Sequence, residues 1–186
     1  MISTKKYNLH KLRITLFFLL CCLSTYSFGQ EEKLSFPEAY LGEWEGKLEI
    51  YGPQGVLQRL DMELHIKELE GEGRWTWTII YKGDIVDERK YELQLKDSAK
   101  AHYVIDEKNS IFLDAYFLGN TLMSRFSVNR SLLMINYTFE DEKIIFDVFS
   151  GSLDNTTKTG EEITEVEEIR AYTMASRQQA ILQKKE

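Results

Sequence analysis

From Trp44 to Tyr172 apolar and polar residues alternate with period two. Trp44, Leu48 and Ile50 alternate with Glu43, Glu45, Lys47 and Glu49. Leu60, Met62, Leu64 and Ile66 alternate with Arg59, Asp61, Glu63, His65 and Lys67. Successive side chains of a strand point to opposite faces, so each such stretch has one dry and one wet face. The pattern continues through 74–82, 89–96, 101–105, 111–118, 121–128, 131–139, 143–149 and 163–173. Turn chemistry separates these runs: Pro53-Gln54-Gly55, Gly71-Glu72-Gly73, Gly83-Asp84 and Gly119-Asn120, with glycine where a tight hairpin needs positive φ. The spacing predicts an all-β fold of about ten strands. The polar stretch 150–162 reads as a loop. Residues 174–186 are charged and helix-competent and read as a tail or short helix.

About ten consecutive antiparallel strands in a flat sheet leave two unpaired edges, and closure removes them. The expected architecture is therefore a single antiparallel up-and-down β-barrel over residues 30–173. Its dry face carries Trp75, Trp77, Ile79 and Tyr81, then Tyr91, Leu93 and Leu95, then Tyr103 and Ile105. Further along, Ile111, Leu113, Phe117, Phe126, Leu133, Ile135, Tyr137, Phe146 and Val148 share it. Several of these are tyrosines, whose buried hydroxyls need partners.

The first 29 residues change the inventory. Lys5, Lys6, Lys11 and Arg13 precede the apolar run at 14–23, and Ser27-Phe28-Gly29 offers small residues for cleavage. The run is too short to span a bilayer and fits a secretory signal peptide, 1–29. Cleavage removes both cysteines, four of the 23 basic residues and none of the 30 acidic ones, leaving a net charge of −11. An exported protein, periplasmic or secreted, is expected. Its acidity disfavours nucleic acid as a partner, and no transmembrane segment is expected in the mature chain. With no cysteine left and only His65 and His102, neither a metal centre nor a nucleophile–base pair assembles from the sequence. No metal, cofactor or enzymatic role is expected. Asp61, Glu63 and His65 share a face, but it is the wet one.

Gly42-Glu43-Trp44 at the start and Ile169-Arg170-Ala171-Tyr172-Thr173 at the end resemble the calycin superfamily, the lipocalins and fatty-acid-binding proteins. The resemblance implies that Trp44 plugs the base of the barrel under a late cation, here Arg170, as a structural clasp. It also implies that Arg170 and Tyr172 can grip a ligand carboxylate. Only about six residues (51–56) join the first two strands, which favours an open mouth of the nitrobindin kind. No histidine follows His102, so nitrobindin's haem activity does not carry over.

These readings converge on a lipocalin-like barrel binding a small hydrophobic or amphipathic molecule. Arg170, Tyr172, Trp77, Tyr81, Tyr91, Tyr103 and Tyr137 are the candidate ligand-binding residues. The alternative is an interaction or accessory domain with a filled core. It would act through an apolar outer face at Phe112, Tyr116, Leu118, Met123, Leu132 and Met134.

Overall fold

The computed structural model describes residues 35–160 and 168–186; the expected signal peptide, 1–29, lies outside them. The described strands are β1 (Gly42–Gly52), β2 (Gly55–Ile66), β3 (Arg74–Lys82), β4 (Val86–Asp97) and β5 (His102–Asp106). They continue as β6 (Phe112–Leu118), β7 (Thr121–Val128), β8 (Ser131–Glu140), β9 (Lys143–Thr159) and β10 (Ile169–Lys184). Each pairs antiparallel with the next, and β10 returns to β1, so the sheet is a closed barrel. This is the all-β, up-and-down barrel architecture that the alternation predicts. The inward positions form the core: Trp44, Leu48, Met62, Leu64, Trp77, Leu93, Leu122, Phe139, Phe146 and Leu182 are among its buried residues. At about 25 cal/mol per Å² of apolar surface, this burial is the main stabilising term, since the described residues include no cysteine.

Two boundaries differ from the sequence reading. Most of the segment 174–186 is neither tail nor helix: as far as Lys184 it is the second half of β10. Leu48 faces Ala180 and Ile50 faces Gln178 across the β1–β10 ladder, and Ala180 and Leu182 are buried. Strand β9 likewise runs on through the polar stretch as far as Thr159. Pairing with β8 ends at Ser152, and pairing of β10 with β1 begins only at Arg177. Between these limits β9 and β10 pair with each other, Tyr172 opposite Thr156 and Ile169 opposite Thr159. A two-stranded ribbon thus extends past the rim.

The topology gives the barrel two unlike ends. At one end lie the β2–β3, β4–β5, β6–β7 and β8–β9 turns, together with the segment that enters β1. Phe36 plugs this base: it stacks on Phe117 at 4.1 Å and meets Tyr103 and Phe139 edge-on at 5.3 and 4.9 Å. Tyr40 packs on Phe139 at 4.6 Å, and its carbonyl accepts the Trp44 indole N–H at 2.9 Å. At the other end lie the β1–β2, β3–β4, β5–β6 and β7–β8 turns and the β9–β10 ribbon. No aromatic plug covers it among the described residues.

Candidate functional site

The plug fills only the lower barrel. Above it, a cavity of about 680 Å³ opens towards the unplugged end, at the β3–β4, β5–β6 and β7–β8 turns. That volume lies within the range of small-molecule pockets. The walls come from the inward positions of most strands. Trp77, Ile79 and Tyr81 are on β3, Arg89 and Tyr91 on β4, Ile105 on β5 and Leu113 on β6. Phe126 lies on β7, Leu133, Ile135 and Tyr137 on β8, and Phe146 and Val148 on β9. Glu107, Ser127 and Gln178 add polar groups nearer the opening. The period-two alternation delivers these side chains to one surface.

Polarity is graded along the axis. Trp77 is fully buried; its indole N–H favours the Tyr137 phenolate but has no aligned hydrogen-bond partner among the described residues. The Trp77 and Tyr137 rings meet edge-on at 5.1 Å. Burial pushes the Tyr137 hydroxyl far above the ordinary phenol range, and the Tyr81 hydroxyl up to about 12. Burial raises Tyr91 as well, with the Glu107 carboxylate adding to the effect. All three remain neutral phenols at any physiological pH, able to donate or accept one hydrogen bond to a guest. Nearer the mouth, the Arg89 guanidinium lies 4.9 Å above the Tyr81 ring. It donates to Asp87 Oδ2 from Nε at 3.0 Å and from Nη2 at 2.8 Å.

The structure sorts the sequence candidates into three places. Trp77, Tyr81, Tyr91 and Tyr137 line the cavity. Tyr103 does not: it sits in the plug, its hydroxyl donating to the Phe36 carbonyl at 3.5 Å. Arg170 and Tyr172 are on the ribbon, exposed, away from cavity and base alike; Arg170 is hydrogen-bonded to Glu168. The clasp expected between Trp44 and Arg170 is therefore corrected. Trp44 faces Lys184 in the ladder, and the Lys184 ammonium lies 5.6 Å from the ring centroid. The strand runs on to Lys184, so the cation at the seam comes from its end.

Arg89 and Glu107 are the charged cavity groups that sequence reasoning missed. A signal for Arg89 existed: it shares parity with Tyr91, Leu93 and Leu95. Strand β4 begins at Val86 rather than 89, which places Asp87 on the inward face too, opposite Tyr81. The Asp61–Glu63–His65 row is outward, as expected, but Glu63 is covered by Lys82 and His65, with His65 Nε2 at 2.9 Å. It forms part of an ion-pair network.

No family model and no curated protein matches the sequence. Several solved structures share the fold. The S-type phycobiliprotein lyase CPES from Guillardia theta superposes with a TM-score of 0.53 at 7% identity, covering 80% of this chain and 90% of that one. A protein of unknown function from the DUF3598 family of Nostoc punctiforme gives 0.55 at 11% identity, covering 80% of this chain and 48% of that one. At these identities the likeness is one of fold alone.

Proposed function

We propose that this protein is an exported, non-enzymatic binding protein that takes a small hydrophobic or amphipathic molecule into its barrel. The observation that carries the reading is the cavity of about 680 Å³, plugged below and open above. An apolar wall removes a guest's hydrocarbon or aromatic body from water, and a few convergent hydroxyls fix its orientation. The fold shared with a phycobiliprotein lyase supports this reading.

The test uses Nile red, a neutral apolar fluorophore, with the purified chain. Saturable one-to-one binding is expected, abolished by Ile135→Trp and weakened by Val148→Phe, which fill the cavity without disturbing the base. Absence of binding, or binding indifferent to both fillings, overturns the reading. Native mass spectrometry of protein purified from its own host then identifies the natural guest.

A second reading has one specific observation behind it. On the outer wall, Tyr116 of β6 faces Met123 of β7, and Met134 of β8 shares that face opposite Arg125, two residues along from Met123. All three are exposed, as is Leu118. Such a patch suits a protein contact. Loss of a partner on Met123→Lys, with Nile red binding intact, would favour it.

A further inference from the structure

Resting on the cavity reading, we propose that Arg89 recognises the carboxylate head of an amphipathic guest, with Asp87 standing in for that carboxylate when no guest is bound. The inference concerns which end of the ligand the mouth reads, and it starts from the arrangement of charge. Arg89 is the one cation among the described lining residues, and it stands near the opening rather than in the apolar depth. Its position is held. The guanidinium stacks on Tyr81 at 4.9 Å, and Ile79 lies directly across the ladder.

Asp87 is tethered two residues away on the same strand. Both Arg89 donors, Nε and Nη2, converge on a single oxygen, Oδ2, at 3.0 and 2.8 Å. A guanidinium fork is best satisfied by two parallel bonds to the two oxygens of one carboxylate. Asp87 does not supply that geometry, whereas a carboxylate arriving on a flexible guest is free to adopt it. The pair is also half-exposed, with side-chain exposures of 45% and 51%, and ion pairs in that setting exchange readily with competitors. The remaining charged wall group, Glu107, accepts from Asn109 Nδ2 at 3.3 Å and bears on Tyr91. Tyr81 on the neighbouring strand β3 and Tyr91 two residues along β4 flank Arg89, with hydroxyls able to donate to a second carboxylate lone pair. Below them Trp77, Ile135 and Phe146 accept the apolar body. The order along the axis, anion reader above and apolar chamber below, selects a guest with its acid group facing out.

The test compares two probes of equal chain length, dodecanoate and dodecanol, by isothermal titration calorimetry on three proteins. The parent chain is expected to bind dodecanoate more tightly. Asp87→Asn removes the internal competitor and is expected to tighten dodecanoate several-fold with dodecanol unchanged. Arg89→Gln is expected to weaken dodecanoate at least tenfold, again with dodecanol unchanged. Matching thermal unfolding midpoints establish that all three proteins fold. If dodecanol binds while Arg89→Gln leaves dodecanoate untouched, or Asp87→Asn weakens it, the Arg89 assignment falls and the cavity reading stands. If neither probe binds any of the three, the cavity reading falls and takes the assignment with it.

Discussion

Lys184 Nζ lies 5.6 Å from the centre of the Trp44 ring, directly across the β1–β10 ladder. The last strand reaches the first here, so one residue of each clasps the seam. An ammonium over an indole is attracted by the ring quadrupole, and its aliphatic stem covers the ring edge. Lys184→Met keeps the stem and loses the charge; a loss of about 0.5–1 kcal/mol is expected in urea unfolding. Arg170→Ala, on the exposed ribbon, is expected to stay within about 0.5 kcal/mol of the parent. The reverse order of effects would return the clasp to Arg170.

Two glycines test strand closure directly. A Cβ at Gly46 would stand 2.2 Å from the Ile181 carbonyl oxygen, and one at Gly151 would stand 2.2 Å from that of Thr173. In both cases the obstacle is backbone, so the ladder itself must shift. Gly46→Ala and Gly151→Ala are each expected to cost about 1–3 kcal/mol in urea unfolding. Gly46→Ala, which spreads the β1–β10 seam, should also raise hydrogen exchange at Leu48 and Ala180. Wild-type stability in Gly46→Ala would show that the seam is looser than described.

Acid sensitivity is expected from the β3–β4–β5 outer face. Glu92 is buried under a bidentate Arg74, with bonds of 2.7 and 3.0 Å, and under Lys108 at 3.2 Å. The Arg74 contact, first among several donors, pushes its carboxyl down to about 2. A carboxyl lowered in the folded state stabilises the fold above its unfolded value near 4.5, and that contribution disappears as pH falls towards 2. Glu92→Gln should therefore be less stable than the parent at pH 7 by about 1–2 kcal/mol, discounted for the half-exposed partners. The gap should close between about pH 4.5 and 2. A gap independent of pH would remove the ionic explanation.

Alkali acts through the cavity wall in the opposite sense. Burial raises Tyr81 from 10 up to about 12. A group whose folded value is raised contributes fully below its unfolded value and loses that contribution as pH climbs through the folded one. Stability should drop between about pH 10 and 12, and Tyr81→Phe should lessen the drop. An unaltered alkaline profile in that variant would mean that the phenol is solvated.

The barrel was legible because alternation is a local property. Trp75, Trp77 and Ile79 announce an inward face whatever lies beside them. The base was half legible: Trp44 could be placed, its cation could not. The stretch Met174–Lys184 has little alternation of its own, and Ala180 becomes core because Leu48 lies opposite it, with Leu182 buried on the same strand. The ribbon was hidden for a related reason. Residues 152–159 are polar and read as loop, yet Thr156, Thr157 and Thr159 are β-branched and tolerate a strand once Ile169–Tyr172 pair with them. Asp87 is hidden because the alternation becomes legible only at 89, three residues after the strand begins; Arg89 falls within the legible run, and its parity with Tyr91 is masked by its charge.

The closing ladder has a practical corollary for orientation. The backbone N–H of Lys185 donates to the Glu43 carbonyl at 2.8 Å, so Glu186 leaves from the floor, beside the segment that leads into the first strand. A sensor chip or fluorescent fusion attached at Glu186 would hold the vessel upright, with its aperture facing the bulk solution and the hairpins around it free for redesign.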